Sequence, residues 1–444
     1  MSTSMMKKMT CFLVLSMIVY CIYSQENSEK SLSDIEKITG LSKCWSEVKY
    51  NFVYFDKLSF DWDSLYQATI PVVLATKNDF EYFRELQRFI ATLKDGHTSV
   101  SWERRDLWNN WATIPLLTKL IEGKMVVTAV LNDTLEQKGI KEGLEIIQIN
   151  EMDVHKYVST KIKPYIHSST EQWMNLRAYG REATRGKKSE EIRLTFKDKD
   201  GKTFSHSISH SMSEKNLSSK PLFDFKEMDD NIGLLKINSF WGDNYIEQFD
   251  SIYEKLVHLD ALIIDIRNNG GGNSNYSRYV LSHLTSETFK MSDWSSPLFI
   301  PAHASWNYAK EWYSQKSADY NPVMNKTIFS KPIVLLINEG TFSAAEDFCV
   351  GFRNMKRGSI IGTPSGGSTG NPIVFTLPGE GRIQICTKKD TYPDGTKFVG
   401  VGILPDIEVK ETVSSYLSIA QSDVDNTLAT AKAIELLKSI VSRK

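Results

Sequence analysis

Two short apolar runs, each followed by glycine and polar residues, are the clearest feature of the hydrophobic pattern. Ala261–Ile266 leads into Arg-Asn-Asn and three consecutive glycines, and Ile333–Ile337 breaks at Asn-Glu-Gly before helix formers resume at Ala344. Short continuous apolar runs of this kind predict strands that are buried on both faces, as in parallel sheets. Similar strand patterns lie at Ile232–Ile237 and Ser359–Ile361. Together these runs predict an α/β core over residues 216–415.

Helical spacing of apolar residues marks both ends of the chain. The sequence from Ser31 to Asp34 is typical of a helix start, and apolar residues follow at a rough helical period, namely Ile35, Ile38, Leu41 and Trp45. A second stripe of this kind runs from Phe80 to Leu93. We therefore predict a helical subdomain over residues 25–108, and an amphipathic C-terminal helix over residues 416–444.

Residues 109–215 have the pattern of short strands instead. Two strand patterns within residues 192–208 flank an Asp-Lys-Asp-Gly-Lys turn, which predicts a β-hairpin. Residues 135–150 resemble a PDZ domain, in which a short helix, a glycine turn and a strand follow one another. PDZ domains bind extended peptide tails by strand addition, but a β-rich spacer without peptide affinity fits the pattern too. Residues 163–188, which contain Trp173, look like an insertion, and we expect it near the functional site.

The first 24 residues have the composition of a secretory signal peptide. Lys7 and Lys8 precede the apolar run Cys11–Tyr23, which is shorter than the ~20 residues of a membrane span. A polar stretch follows Ser24. This order predicts export and cleavage after Ser24, with an uncleaved membrane anchor as the alternative.

Composition narrows the classes of function. The chain has 444 residues, 41% of them hydrophobic and 24% charged, so two or three folded domains are expected. Its net charge of −1 argues against a nucleic-acid-binding surface. Cys44, Cys349 and Cys386 remain after signal cleavage, and this odd, sparse set is no disulfide framework. Since no Cys-x-x-Cys or His-Glu-x-x-His motif occurs, no metal site is expected.

A serine and a glycine-rich turn point to acyl-transfer chemistry. Ser343 lies where a strand gives way to a helix, a sharp turn that can expose a side-chain oxygen. The glycines after Ile266 can direct backbone N–H groups at a ligand, as an oxyanion hole requires. Serine needs a base, and His97, between a helical stripe and a strand, is the candidate. A lone histidine is more often a surface or capping residue, so the residues alone leave the base open.

An ordered set of motifs resembles the tail-specific, or C-terminal-processing, serine peptidases. The likeness spans roughly residues 30–412 and follows the branch that includes tricorn and interphotoreceptor retinoid-binding protein. The other branch of the family uses a lysine about 25 residues after its serine, where this chain has Ser368. Apart from the PDZ-like module, the motifs are DGHT (95–98), DIRNNGGG (265–272), GTFSAAE (340–346), GGSTGNP (366–372) and GILPDIEV (402–409).

This resemblance implies a crotonase-like α/β catalytic core and a mechanism. Ser343 would be the nucleophile and His97 the general base, with an oxyanion hole formed by the backbone N–H groups of Ala344 and of Gly270 or Gly271. It implies no metal or organic cofactor, and a polypeptide substrate whose C-terminus can bind at the PDZ-like module.

The group that orients His97 stays unassigned at this stage. Tricorn has a serine just before its histidine and a glutamate before its Pro-Asp motif, but this chain has Gly96 and no acid at those places. Glu346, one helical turn after Ser343, and Asp394, in a Tyr-Pro-Asp-Gly turn, are the candidates. Each also has a plain structural interpretation, as a helix cap and a turn residue respectively.

The sequence therefore predicts an exported serine endopeptidase that cleaves unfolded or extended polypeptides in the periplasm or on the surface of a bacterium. One alternative is a catalytically weak or inactive relative that binds peptides or apolar ligands. Another is an acyl-thioester hydrolase or isomerase, since crotonase cores also build oxyanion holes from glycine turns. The oligomeric state is not predicted.

Overall fold

The computed structural model describes residues 31–103, 110–215, 220–420 and 427–442. The predicted signal peptide and its cleavage site near Ser24 lie outside these residues. Within them, no helix combines the length and apolar character needed to cross a membrane. The α-helices span Asp34–Asn51, Trp62–Leu74, Asp79–Ala91, Asp133–Gln137, Val154–Tyr157, Glu171–Ala178, Tyr245–Leu256, Ser274–Ser282, Pro301–Ser305, Ala344–Asn354, Val413–Ala420 and Leu428–Val441.

A six-stranded sheet forms the α/β core, as the apolar runs predict. The first pair of strands is antiparallel and the other neighbours are parallel. All residues of the strands Ala261–Asp265 and Ile333–Ile337 are buried, because helices cover both faces of the sheet. In spatial order the strands are Phe223–Met228, Ile232–Ile237, Ala261–Asp265, Ile333–Ile337, Gly358–Gly362 and Ile407–Glu408.

This strand order brings two turns together. Ala261–Asp265 and Ile333–Ile337 are adjacent and parallel, with Asp265 opposite Leu336. Their carboxyl ends therefore lie at the same edge of the sheet, and the glycine turn after one adjoins the serine turn after the other. Crevices at such an edge are where α/β sheets bind ligands.

The N-terminal helices share a hydrophobic core with strands from much later in the chain. Ser99–Trp102 pairs with Gly381–Ile385, which pairs in turn with Ile373–Leu377. The helices of residues 34–91 pack on this three-stranded sheet. Residues 373–385, which fall in the predicted α/β core, thus complete the N-terminal unit and hold it against that core.

The first helix buries a different stripe from the one that we predicted. Leu41, Cys44 and Val48 face the core, whereas Ile35 is 78% exposed and Ile38 36% exposed. The predicted helix start is confirmed, because Ser33 caps the helix and Glu36 completes a capping box. The predicted helical period was correct, but the face that turns towards the core was not. The observed face carries Gly40 and Cys44, whose small side chains allow the helix to pack closely.

Residues 111–209 form a β-rich unit that we call the central module. Its main sheet has its own hydrophobic core and carries the predicted hairpin, with Ile192 opposite Ile208. The short helix Asp133–Gln137 precedes the strand Glu145–Ile149, in the predicted order. The strands are Trp111–Thr113, Leu116–Ile121, Lys124–Val130, Glu145–Ile149, Met152–Asp153, Arg185–Lys187, Glu191–Lys197 and Thr203–Ser209.

The remaining strands lie beside the α/β core. Asp293–Leu298 pairs with Glu311–Gln315 and with Lys389–Thr391. Two short strands, Phe289–Lys290 and Asp319–Tyr320, form a separate pair. The helix Leu428–Val441 covers the face of the core sheet opposite the helix Ala344–Asn354.

The corrected helix stripe gives a matched pair of variants. Leu41→Ala removes a fully buried side chain and should lower the free energy of unfolding by about 2–5 kcal/mol. Ile35→Ala on the same helix should change it by about 0.5 kcal/mol or less, because Ile35 is exposed. Chemical denaturation measures both values, and equal losses would contradict the observed orientation of the helix.

Candidate active site

Ser343 occupies the turn between the strand Ile333–Ile337 and the helix Ala344–Asn354. Its backbone has φ 57° and ψ −123°, a conformation that costs a residue other than glycine about 1–3 kcal/mol. Such strain persists only where the surroundings hold the residue firmly. The turn presents the Ser343 hydroxyl at the start of the helix, as the sequence predicts for an exposed serine.

His97 lies directly opposite this serine. The distance from His97 Nε2 to Ser343 Oγ is 3.0 Å, although 246 residues separate them in the chain. The His97 backbone N–H donates to Asp95 Oδ1, and the His97 ring stacks on Phe342 at a centroid distance of 4.8 Å. The backbone and one ring face of the histidine are therefore both fixed.

The other ring nitrogen of His97 contacts a hydroxyl, not a carboxylate. His97 Nδ1 lies 2.8 Å from Ser368 Oγ, and both residues are buried. The sequence analysis noted Ser368 only as the residue found where a lysine would stand in a related branch. Its position in the motif pattern was the one sequence feature that could have identified it. In this structure the residue at the lysine position is a serine that contacts His97.

Glu346 is fully buried behind the site and accepts four hydrogen bonds. Its donors are Ser365 Oγ at 2.5 Å and the backbone N–H groups of Gly367, Ser368 and Ser343 at 2.8–3.2 Å. Burial raises the pKa of Glu346 to about 8, against the lowering effect of these donors. Since all four partners donate, the ionised carboxylate fits the geometry best.

Two other acids near the motifs have different surroundings. Asp394 is exposed and accepts from the backbone N–H of Thr396 within its own turn. Asp95 is buried, which raises the pKa of its carboxyl group to about 6, and it accepts from Thr98 Oγ1 as well as from His97 N–H. Of the two predicted orienting acids, the structure thus brings Glu346 to the site and leaves Asp394 in a surface turn.

The glycine turn approaches Ser343 closely. Gly271 has φ +95°, and a Cβ built on it would lie 2.8 Å from Ala344 N and 2.6 Å from Phe342 O. A side chain there would cover the Ala344 N–H, which as the first helical N–H has no acceptor within the helix. Gly271 N–H donates to Asn269 Oδ1, whereas a Cβ on Gly270 would meet no atom within 4 Å.

The environment of His97 favours the neutral imidazole. Burial, and then the positive charge of Lys388, lower the pKa of His97 to about 4. A neutral imidazole can accept a proton throughout the usual physiological range, because it is already deprotonated above about pH 4. Lys388 is itself held by an ion pair with Asp390, whose oxygen lies 2.9 Å away.

Comparison with known proteins now adds to this geometry. The family model described as "Peptidase family S41" matches residues 231–409, which include five of the six strands of the core sheet and both turns. The α/β core is therefore similar in sequence to peptidase family S41. The likeness to C-terminal-processing serine peptidases that the ordered motifs predict is thereby confirmed, while the PDZ character of the central module stays a prediction.

Two curated relatives are similar to parts of this chain. A "Carboxy-terminal-processing protease" of Bartonella bacilliformis is 37% identical over 81 residues, which cover 18% of this chain and 19% of the relative. A "Probable CtpA-like serine protease" of Staphylococcus haemolyticus is 24% identical over 264 residues, 57% of this chain and 49% of the relative. The matches thus span half or less of the relatives' own length.

A solved structure matches the fold of nearly the whole chain. Mature CPAF in complex with lactacystin superposes with a TM-score of 0.72 over 93% of this chain and 99% of that one. The two chains are 16% identical, so the comparison concerns the fold alone. The predicted multi-domain α/β fold with a helical N-terminal region is confirmed.

The two glycines give a test of the turn. Gly271→Ala should lower the unfolding free energy and suppress the reaction of Ser343 with a fluorophosphonate, because the methyl group would collide with the serine turn. Gly270→Ala adds the same methyl group into open space, so its unfolding free energy should stay close to that of the unaltered protein. Equal effects of the two changes would contradict the observed turn.

Proposed function

We propose that this chain is an exported serine endopeptidase in which Ser343 is the nucleophile and His97 the general base. The observation that carries the proposal is the 3.0 Å contact between His97 Nε2 and Ser343 Oγ, made beside a turn of glycines. Serine is a weak nucleophile unless a neighbouring base takes its proton. A neutral, buried histidine within hydrogen-bond distance can serve as that base.

The acylation step follows from these contacts. Ser343 Oγ attacks the peptide carbonyl while its proton passes to His97 Nε2, and the C–N bond breaks as the imidazolium protonates the leaving amine. Ala344 N–H and a glycine N–H would stabilise the oxyanion, with Gly270 the better candidate because Gly271 N–H already donates to Asn269. Loss of one such donor typically costs about 10²–10³ in turnover.

Water then releases the acyl group by the same route in reverse. The oxygen of the water attacks the ester carbon while His97 accepts a proton from the water. His97 returns that proton to Ser343 Oγ when the ester bond breaks. For this exchange the neutral imidazole must carry its hydrogen on Nδ1, so that Nε2 can accept. Ser368 Oγ supports that tautomer when it accepts the Nδ1–H bond.

The proposed substrate is an unfolded or extended polypeptide. The Bartonella relative is a carboxy-terminal-processing protease by name, and the central module offers the edge strands Leu116–Ile121 and Thr203–Ser209 to an added peptide strand. We propose that the C-terminus of the substrate binds there. The basic and apolar start of the chain supports export to the periplasm or surface of a bacterium.

A direct test compares residues 25–444 with three single variants on an unfolded protein substrate. Ser343→Ala and His97→Ala should each abolish cleavage, as measured by mass spectrometry of the fragments. Ser368→Ala should lower turnover by about tenfold or more, because the histidine ring loses its orienting partner. Thermal unfolding of each variant controls for loss of structure.

Other outcomes would change the proposal in defined ways. Cleavage that survives His97→Ala but not Ser343→Ala would place the base elsewhere. If the unaltered protein neither cuts substrates nor reacts with a fluorophosphonate, peptidase activity is ruled out for it. Saturable binding of peptides or fatty acids by that inert protein would then support the binding-protein alternative.

The pKa of His97 predicts the pH profile of Ser343 labelling. The rate of reaction with a fluorophosphonate should fall only near pH 4, well below the ordinary histidine pKa of about 6.5. Lys388→Met should move this fall in rate to higher pH. The change removes a positive charge that disfavours the imidazolium, and it leaves Asp390 without its ion-pair partner. Lys389→Met, at the neighbouring lysine, is the control.

A fall in the labelling rate near pH 6 would point to Asp95 instead. Burial raises the pKa of the Asp95 carboxyl to about 6, and this group holds the backbone of His97. Asp95→Asn would then remove this fall in rate. If Lys388→Met and Lys389→Met behave alike, the charge of Lys388 does not act on His97.

A further inference from the structure

Residues 169–173 of the central module reach into the α/β core, and we call them the clamp segment. They include the cap and first turn of the helix Glu171–Ala178. Thr170 Oγ1 donates to Gly366 O over 2.7 Å, and Gln172 Nε2 donates to Ser365 O over 2.9 Å. These acceptors belong to the loop that carries Ser368, so a different module holds the partner of His97 in place.

The clamp segment also reaches the histidine side of the site. Trp173 stacks on Phe342 at 4.3 Å, and Phe342 stacks on His97 at 4.8 Å, so three rings form one column. Gly96 N–H, immediately before the histidine, donates to Ser169 Oγ over 2.8 Å. One segment of five residues therefore contacts the neighbours of both His97 and Ser368.

Packing against the clamp segment leaves the Ser368 loop no room to move towards it. A Cβ built on Gly366 would lie 2.7 Å from the Phe342 ring and 3.2 Å from the Trp173 ring. A Cβ on Gly367 would overlap the methyl group of Thr170. The loop has no regular secondary structure, and the carbonyl groups of Ser365 and Gly366 accept their hydrogen bonds from these clamp side chains.

We propose that the clamp segment is a positioning element that sets His97 and Ser368 at their working distance, which makes the central module part of the catalytic unit. The proposal rests on the proposed function and deepens it. A serine hydroxyl supplies no full charge to hold an imidazole, so the orientation of the pair depends on the fixed position of both residues. A misplacement of about 1 Å at an active site can cost about 10²-fold in rate.

The test removes the donors of the clamp without changing its shape. Thr170→Val and Gln172→Met should each lower kcat for a short peptide about tenfold to a hundredfold, with KM changed by less than about twofold. Thr170→Ser keeps the hydroxyl and should recover most of the rate. Gln172→Met leaves the helix cap intact, which separates positioning from capping. The control is Thr69→Val, at a buried threonine that donates to Leu65 O in an N-terminal helix.

A second readout does not depend on activity. The side-chain ¹⁵N chemical shifts of His97, assigned by comparison with His97→Gln, report which ring nitrogen carries the hydrogen. The clamp variants should shift these signals towards a mixture of tautomers, while Thr69→Val leaves them unchanged. If the unaltered protein proves inactive, the proposed function fails and the NMR arm still tests the clamp. Unaltered ¹⁵N shifts in the clamp variants, or rate losses matched by Thr69→Val, would overturn the positioning role.

Discussion

The buried carboxylate of Glu346 is the interaction on which the rest of the site depends. It belongs to the first turn of the helix that follows Ser343, and its donors come from Ser343 itself and from the loop of Ser365, Gly367 and Ser368. A buried charge is costly unless its hydrogen-bonding capacity is filled, and here four donors fill it. Because one carboxylate binds both segments, the strained backbone of Ser343 and the position of Ser368 are held by the same group.

The site is assembled from parts that are distant in sequence, and the fold supplies the connections between them. His97 precedes a strand that pairs with residues 381–385, which lie close after the Ser368 loop. Ser343 follows the fourth strand of the core sheet, beside the glycine turn of the third. The N-terminal unit thus cannot separate from the core without breaking a shared sheet. This explains how a histidine 246 residues from its serine can be held within hydrogen-bond distance.

The sequence predicted those parts of the site whose chemistry shows in local patterns. Apolar runs and glycines identify the two turns, whereas His97 is singled out as the base by the ordered motifs of the family resemblance. Ser368 could not be identified in this way, because a serine in a glycine-rich loop has the same local pattern as an ordinary turn residue. Its role depends on contact with His97, which is distant in the sequence. The same limit applies to the first helix. The spacing of its apolar residues gives the helical period, but the face that is buried depends on the close packing that Gly40 and Cys44 allow.

A hydroxyl in place of a carboxylate changes what the surroundings of His97 must do. A carboxylate accepts only, so it fixes the tautomer by charge and by hydrogen bonding together. Ser368 Oγ can donate or accept, and when it donates to Nδ1 the hydrogen sits on Nε2, where it blocks proton transfer from Ser343. The choice between these two tautomers then depends on how Ser368 and His97 are placed. Glu346 holds the backbone of Ser368, and the Trp173–Phe342 stack supports one face of the His97 ring. The proposed mechanism therefore requires rigid packing to orient His97, where a triad with an acid would use a negative charge as well.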